Sequence, residues 1–253
     1  MNKRLIFCCT TGRSGTKLLA ELLSLVPNVH SEHEARPSFE NYWWQTKNVD
    51  YTQAEKIYKR FWENKLRVIS KIDKPIYSET SHMTFKGFIE YLPDDVDYSI
   101  IFLQRDPRSV AKSLYNLGDI PGRTRTGVRN CFGPKDNNNI INISDRWSKF
   151  TDYQLCYWYV KEMNARADMY WEAYKDNSKV VTTKIFLSRL LDLSMFIHML
   201  EWLGLSINID ITEYTRIIST RWNAKHSRKM VRTYPERFCA EEQAVDKLWP
   251  GVK

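Results

Sequence analysis

The stretch Cys8-Cys9-Thr10-Thr11-Gly12-Arg13-Ser14-Gly15-Thr16-Lys17-Leu18-Leu19 decides the fold of this 253-residue chain. It continues a short apolar run over residues 5–9, which is typical of a buried strand, and it leads into leucines at helical spacing. A strand, a turn of small residues and a helix form an anion-binding loop in α/β proteins, because the N–H groups of the turn and the positive end of the helix converge there. The sequence therefore predicts a loop for a phosphate-like group, with added positive charge from Arg13 and Lys17.

The loop does not follow the Walker A pattern, which needs Gly, four residues and then Gly-Lys-Ser/Thr. Gly12 and Gly15 are too close together, and Thr-Lys follows Gly15. The run Arg13-Ser14-Gly15-Thr16 resembles the loop by which sulfotransferases that use 3′-phosphoadenosine 5′-phosphosulfate (PAPS) hold the 5′-phosphosulfate of the donor. An ordinary strand–helix turn is the alternative. The resemblance implies donor contacts from Thr11, Gly12, Arg13, Ser14, Gly15, Thr16 and Lys17.

Composition favours anionic ligands. The chain carries a net charge of +8 and is 43% hydrophobic, and its length fits one large α/β domain or two small ones. Nucleic acid is one class of anionic ligand to consider, but no run of five or six basic residues is present. A diffuse basic surface or a basic pocket is therefore favoured over a nucleic-acid tail, and we expect no nucleic-acid partner.

The cysteines and the hydropathy pattern bear on location. The five cysteines, an odd number without metal-like spacing, argue against a disulfide framework, so we expect a reducing compartment. No apolar segment reaches the length of a membrane span. We therefore expect a cytoplasmic protein without stable membrane insertion.

An acidic segment follows the first helix, which is predicted from Gly15 to Leu25. Together with the loop, Pro27-Asn28-Val29 and the acidic residues before Arg36 resemble the amino-terminal region of tyrosylprotein sulfotransferases and related bacterial enzymes. The resemblance implies that Glu34 is the catalytic base and that Arg36 contacts the acceptor. His33, which precedes Glu34, is a weaker candidate for an acceptor contact. The alternative for Glu34 is a solvated loop carboxylate.

A second strand, over residues 75–80, brings two rival candidates for the base to the same sheet edge, Glu79 and His82. Cytosolic sulfotransferases use a histidine as base, which makes His82 the main rival. Residues 83–92 are predicted to form a helix that stops at Pro93. In the aromatic-rich helices predicted over residues 39–65, core packing is favoured over an acceptor pocket, and Trp43 is the weaker substrate candidate.

A third strand ends at Arg105, where Asp106 is a good N-cap and Pro107 suits the first position of a helix. Arg105 and Ser113, eight positions later, resemble the site at which the family holds the 3′-phosphate of the donor. A well-capped helix with incidental basic residues is the alternative.

The remaining chain is less specific. Residues 118–145 lack periodicity and are predicted to be a flexible loop or lid. Helices are predicted over 147–174 and 190–203, and a strand over 179–186. The late nucleotide-binding segment of cytosolic sulfotransferases is missing, and the weaker substitutes in this chain are Arg221, Asn223 and Lys225.

The sequence thus predicts one α/β domain over residues 1–253, with a central, mostly parallel sheet flanked by helices in the P-loop-like sulfotransferase fold. The resemblance implies transfer of a sulfuryl group from PAPS to a hydroxyl or amine of a small-molecule acceptor, releasing 3′,5′-ADP without a metal. Arg13, in the place of the family's catalytic lysine or arginine, then neutralises charge on the leaving group. The alternatives are a small-molecule kinase that uses ATP and Mg²⁺, and a non-enzymatic nucleotide- or RNA-binding module.

Overall fold

The computed structural model describes residues 3–47, 49–220 and 234–248. The chain forms two compact units, Met1–Arg105 with Ala167–Asn223 and Asp106–Arg166 with Ala224–Lys253. We call the first the sheet unit and the second the helical unit. The single sulfotransferase domain predicted over residues 1–253 stays a prediction.

The sheet unit is built on five parallel strands. These are β1 (Arg4–Cys9), β2 (Val29–His33), β3 (Ile76–Thr80), β4 (Asp97–Gln104) and β5 (Val180–Phe186). Their order across the sheet is β2-β3-β1-β4-β5. The inner strands β1 and β4 are apolar runs buried on both faces, as expected of a parallel sheet covered by helices, and Ile6 and Ile100 are fully buried. The predicted α/β fold with its parallel sheet is confirmed.

The described helices are α1 (Thr16–Ser24), α2 (Phe39–Thr46), α3 (Tyr51–Ile69), α4 (Pro107–Leu117), α5 (Arg125–Asn130), α6 (Asp152–Tyr174), α7 (Leu193–Trp202), α8 (Ile211–Ser219) and α9 (Glu236–Asp246). The leucines of α1 fill the main core of the sheet unit. Leu19 and Leu22 are fully buried in one cluster with Phe196 and Leu200 of α7. Burial of each such side chain contributes about 1.5–3 kcal/mol.

A second core of aromatic rings lies between α2 and α3. The ring centroids of Phe39 and Phe61 are 4.4 Å apart, and the indole N–H of Trp62 donates to the Phe88 carbonyl at 2.6 Å. These rings are buried, in agreement with the core-packing interpretation of this region.

Two segments differ from expectation. Strand β2 was not predicted, because four of its five residues are polar and only Val29 is buried. The helix predicted over residues 83–92 is wrong, since the segment forms turns that end in a 3₁₀ turn at Ile89–Tyr91. Gly87 interrupts it with φ 96°, in the left-handed region.

The helical unit contains the predicted loop over residues 118–145. This segment includes α5, and near its end the backbone N–H groups of Ile140 and Ile141 donate to the buried carboxylate of Glu162 at 3.0 and 2.7 Å. Arg166 donates to the same carboxylate at 2.8 Å. Mobility of the loop stays a prediction.

Candidate active site

The loop after β1 has the geometry of an anion-binding turn. Gly15 adopts φ 97° at the N-cap of α1, and a Cβ placed there would lie 2.4 Å from the Leu187 side chain, so this position requires glycine. Arg13 also has a positive φ, of 71°. The hydroxyls of Thr11 and Ser14 are hydrogen-bonded to each other at 2.6 Å, which fixes the turn from inside.

Arg105 meets this loop from the neighbouring strand. It follows β4, which pairs with β1 in parallel, and its Nη1 donates to the Arg13 carbonyl at 2.7 Å. The tips of two adjacent strands thus bring the predicted 5′-phosphosulfate loop and the predicted 3′-phosphate arginine into contact.

Glu34 and His82 lie together on the other side of the loop. Glu34 follows β2, and His82 lies just beyond the end of the adjacent β3. The His82 Nδ1 is 3.2 Å from Oε1 of Glu34. Because an ionised carboxylate only accepts, Nδ1 of His82 carries the proton and donates it to this bond.

His33 approaches the second oxygen of the same carboxylate. Its Nε2 lies 3.9 Å from Oε2 of Glu34, while its Nδ1 donates to the Thr80 carbonyl at 2.8 Å. That hydrogen bond orients the His33 ring, and the contact with Glu34 is attractive when His33 is protonated.

The imidazole of His82 connects the carboxylate to the loop. A Cβ built on Gly12 would lie 3.4 Å from Cδ2 of His82, so the ring packs directly against the loop backbone. The Glu34 carboxylate, the His82 imidazole and the loop at Gly12 therefore lie together at the carboxyl edge of the sheet, the edge at which open α/β sheets bind ligands.

The charges around Glu34 favour its ionised form. The hydrogen bond from His82 is the largest cause that lowers the pKa of Glu34, and the positive charge of Arg13 adds to the effect. Burial is the largest cause that lowers the pKa of His82, against the raising effect of its bond to Glu34. At neutral pH this arrangement places an ionised carboxylate beside a neutral imidazole, and the Glu34 side chain is 42% exposed.

Glu79 lies deeper in the sheet unit. Its side chain is fully buried, and Oε2 is 2.6 Å from the Lys65 ammonium and accepts from the Tyr77 hydroxyl at 2.8 Å. Burial is the main cause that raises the pKa of Glu79, and Lys65 opposes it. The contacts of Glu79 are therefore internal, in contrast to those of Glu34.

The other predicted site residues belong to several different segments of the chain. Arg36 is exposed next to Glu34, and Trp43 is buried with the Lys47 and Lys86 ammonium groups 4.1 and 4.3 Å from its ring centroid. Ser113 lies on α4 in the helical unit, partly buried. Arg221, Asn223 and Lys225 lie outside the described residues.

Lys65 is a neighbour of the site that sequence reasoning missed. It donates to the carbonyl of Ala35, the residue after Glu34, at 3.0 Å. Lys65 is one of several charged residues on α3, and no feature of the sequence distinguishes this buried lysine from the solvent-exposed charged residues of the helix.

A glycine-containing loop with positive φ angles lies beside a carboxylate–imidazole pair at the carboxyl edge of a parallel sheet, which is the geometry of an α/β protein with a candidate site for an anionic ligand. A family model described as a sulfotransferase domain matches residues 3–203, and the chain belongs to this sulfotransferase family. A comparison with curated proteins gave no sequence match.

Solved structures share the fold at low sequence identity. The sulfotransferase domain from the curacin biosynthetic pathway is 14% identical with a TM-score of 0.56, over 85% of this chain and 77% of that chain. A sulfotransferase from Alicyclobacillus acidocaldarius is 13% identical with a TM-score of 0.53, over 96% and 92%. Sulfotransferase STF9 from Mycobacterium avium is 13% identical with a TM-score of 0.55, over 98% and 75%.

Two further properties concern only the described part of the chain. None of the helices there combines the length and the apolar character that a membrane span requires. No group of three or more His, Cys, Asp or Glu side chains within residues 3–47, 49–220 and 234–248 is arranged to hold a metal ion.

Proposed function

We propose that this chain is a sulfotransferase that uses PAPS as donor and sulfates a hydroxyl or amine of a small-molecule acceptor. The observation that carries the proposal is the contact of His82 with both Glu34 and the loop at Gly12. A proton acceptor then lies next to the place where the family binds its activated donor, as transfer between two bound substrates requires.

In this proposal the loop from Thr11 to Lys17 holds the 5′ end of the donor through backbone N–H groups and the positive end of α1. Arg105 and Ser113 hold the 3′-phosphate, and the guanidinium supplies a fork of charged donors. The residues fit an anionic ligand, since Gly15 has the positive φ that an open turn requires and Arg105 already contacts the loop.

PAPS supplies an activated sulfuryl group and 3′,5′-ADP as leaving group. Glu34 accepts the proton of the acceptor hydroxyl or amine, and His82 keeps the carboxylate oriented and ionised. Arg13 neutralises charge that builds on the departing 5′-phosphate oxygen. His82 in the role of base is the competing assignment, and it predicts loss of turnover in His82→Ala at every pH together with normal turnover in Glu34→Gln.

The acceptor side of the site is the segment after β2. Arg36 and His33 flank Glu34, and Trp43 lies further along on α2. We propose a natural product, sugar or lipid headgroup as acceptor. We place the reaction in the cytoplasm, because all five cysteines are free, as is usual in a reducing compartment.

Nucleotide binding tests the donor. In a thermal-shift experiment, 3′,5′-ADP at about 100 times its Kd should stabilise the protein by about 2.7 kcal/mol. ATP with Mg²⁺ is tested in parallel for comparison. Stabilisation by ATP–Mg²⁺ and not by 3′,5′-ADP would favour the kinase alternative and overturn the proposal.

Product formation tests the reaction. The chain is incubated with isotopically labelled PAPS and a metabolite extract, and mass spectrometry is used to find products that have gained SO₃. The Glu34→Gln variant is the control for transfer by the site. If the labelled PAPS is intact but no labelled product forms, and the chain binds RNA in a salt-sensitive manner, the non-enzymatic alternative is favoured.

A further inference from the structure

A buried ion pair lies directly beneath the candidate active site. The side chains of Lys65 on α3 and Glu79 on β3 are both 0% exposed, and the Lys65 Nζ is 2.6 Å from Oε2 of Glu79. Taking two charges out of water is costly, and apolar residues of similar volume often replace such a pair without loss of stability. The presence of this pair therefore calls for an explanation other than stability.

The ammonium of Lys65 makes a second contact, and this one leads to the site. Its Nζ donates to the backbone carbonyl of Ala35 at 3.0 Å. Ala35 is buried and directly follows Glu34. The faces of Phe39 and Phe61 lie 5.3 and 5.7 Å from the same ammonium, so aromatic rings enclose it and leave its position well defined.

The backbone of Glu34 has a conformation that needs such support. Its φ is 53°, in the left-handed region that residues with a Cβ seldom occupy. Conformations of this kind persist where the surroundings over-determine them, and they cluster at functional sites. The backbone is held on both sides of Glu34. The N–H of Glu34 donates to the Thr80 carbonyl at 3.3 Å, and Lys65 donates to the carbonyl of the following residue, Ala35.

We propose that Lys65 is a positioning residue: its buried ammonium, held in place by Glu79, fixes the Ala35 carbonyl and thereby directs the Glu34 carboxylate toward His82. The proposal rests on the proposed function, in which Glu34 is the base. Glu79, a rival candidate for the base, is then the partner that holds Lys65. Tyr77 supports Glu79 through its hydroxyl, which donates to Oε2 at 2.8 Å.

The test uses the double variant Lys65→Met/Glu79→Gln, which removes both charges together and so leaves neither one buried without a partner. Leu200→Ala is the matched control, because Leu200 is a fully buried residue of the leucine core and has no part in the site. The readout is amide hydrogen exchange at Glu34, compared with the amide of Phe7 in the central strand. Exchange at Glu34 should accelerate at least about tenfold relative to Phe7 in the double variant and not in the control.

Two further measurements separate positioning from general destabilisation. The Glu34 carboxyl, followed by ¹³C NMR during a pH titration, should titrate closer to its ordinary pKa in the double variant, because the hydrogen bond from His82 is lost. In the transfer reaction, kcat should fall by about 100-fold while the Kd for 3′,5′-ADP stays within about twofold, since misplacement by about 1 Å has effects of this size on catalysis.

The outcomes are distinct from those of the proposed function. Equal acceleration at Glu34 and Phe7, or an unchanged Glu34 titration, would overturn the role of Lys65 even if Glu34→Gln is inactive. Normal transfer by Glu34→Gln would overturn the base assignment, whatever the exchange experiment gives. If the double variant does not fold, Glu79→Asp keeps both charges but shortens the carboxylate that holds Lys65, and the same selective acceleration is expected.

Discussion

His82 donates from Nδ1 to Oε1 of Glu34 across 3.2 Å. The two residues follow adjacent strands, β3 and β2, so parallel pairing of the backbone brings together side chains that are 48 positions apart in the chain. The same ring packs against Gly12 of the loop after β1. This relationship makes the roles of the two side chains separable by experiment.

Replacement of Glu34 by glutamine should abolish most of the transfer and leave nucleotide binding nearly unchanged. Glutamine keeps the size of the side chain but has no charge to accept a proton, and loss of a general base costs about 10²–10⁴-fold in rate. The measurement is kcat for sulfuryl transfer together with calorimetry of 3′,5′-ADP. Glu21→Gln, a partly buried carboxylate on α1, is the control with normal turnover, and near-normal turnover of Glu34→Gln would remove Glu34 from its role.

Removal of His82 should move the acid limb of the pH–rate profile. The hydrogen bond from His82 is the main cause that keeps the pKa of Glu34 below its ordinary 4.5, so activity should be lost on acidification only below that value. In His82→Ala the pKa of Glu34 rises, and the acid limb of kcat/KM shifts to higher pH. His198→Ala, at an exposed position on α7, should leave the profile in place.

The same pKa shift fixes the sign of the stability effect. A carboxyl with a lowered pKa in the folded state adds stability above its unfolded pKa, and this contribution is lost as the pH falls through the folded pKa. The effect should be small because Glu34 is partly exposed.

The two variants also decide which residue is the base. Collapse of turnover in His82→Ala at every pH, with normal turnover in Glu34→Gln, would assign the role of base to His82.

Replacement of Arg105 by alanine should weaken 3′,5′-ADP much more than 5′-AMP. The guanidinium is proposed to contact the 3′-phosphate, which 5′-AMP lacks, and a hydrogen bond to a charged group is worth about 1.5–3 kcal/mol, or roughly 10–150-fold in Kd. Calorimetry with both nucleotides measures the difference. Arg216→Ala, which removes a surface partner of Glu213, is the matched control, and equal losses for both nucleotides would contradict the assignment.

Replacement of Gly15 by alanine should destabilise the protein more than the same change at Gly204. Both positions have a positive φ, of 97° and 62°, and a side chain in that region costs about 1–2 kcal/mol. At Gly15 the new Cβ also meets Leu187 at 2.4 Å, whereas at Gly204 the nearest atom is 3.8 Å away. Overpacking should add about 1–3 kcal/mol at Gly15, measured by urea unfolding. Equal losses at the two positions would show that Leu187 moves aside freely.

Much of the fold could be predicted because its strands and helices carry strong local patterns. The apolar runs of β1 and β4 and the leucines of α1 mark buried elements by composition and spacing alone. Strand β2 could not be predicted in this way, because it lies at the edge of the sheet and is polar except at Val29. Residues 83–88 form turns in place of a predicted helix. Gly87 has a positive φ, and a Cβ there would lie 2.7 Å from the Tyr58 hydroxyl, a tertiary contact that periodicity does not reveal.

The candidate site likewise contains residues that local sequence predicts and residues whose place depends on tertiary packing. The loop at Gly12 to Lys17 is a local pattern, and Glu34 and Arg105 were predicted from spacing and family resemblance. The partners of Glu34 depend on strand order: β3 inserts between β2 and β1, which places His82 between the carboxylate and the loop. Lys65 reaches the site from a helix whose other charges face solvent, so only the packing of α3 distinguishes it.

The position of β1 between β3 and β4 has a consequence for how the specificity of this protein can change. The loop after β1 separates the segment that follows β2, residues 34–47, from the tip of β4 at Arg105. In the proposed reaction the first of these meets the acceptor and the second the nucleotide. Exchange of residues 35–47 with Glu34 kept should therefore change the acceptor and leave the donor unchanged, so evolution can diversify one half of the site while the other half keeps its donor.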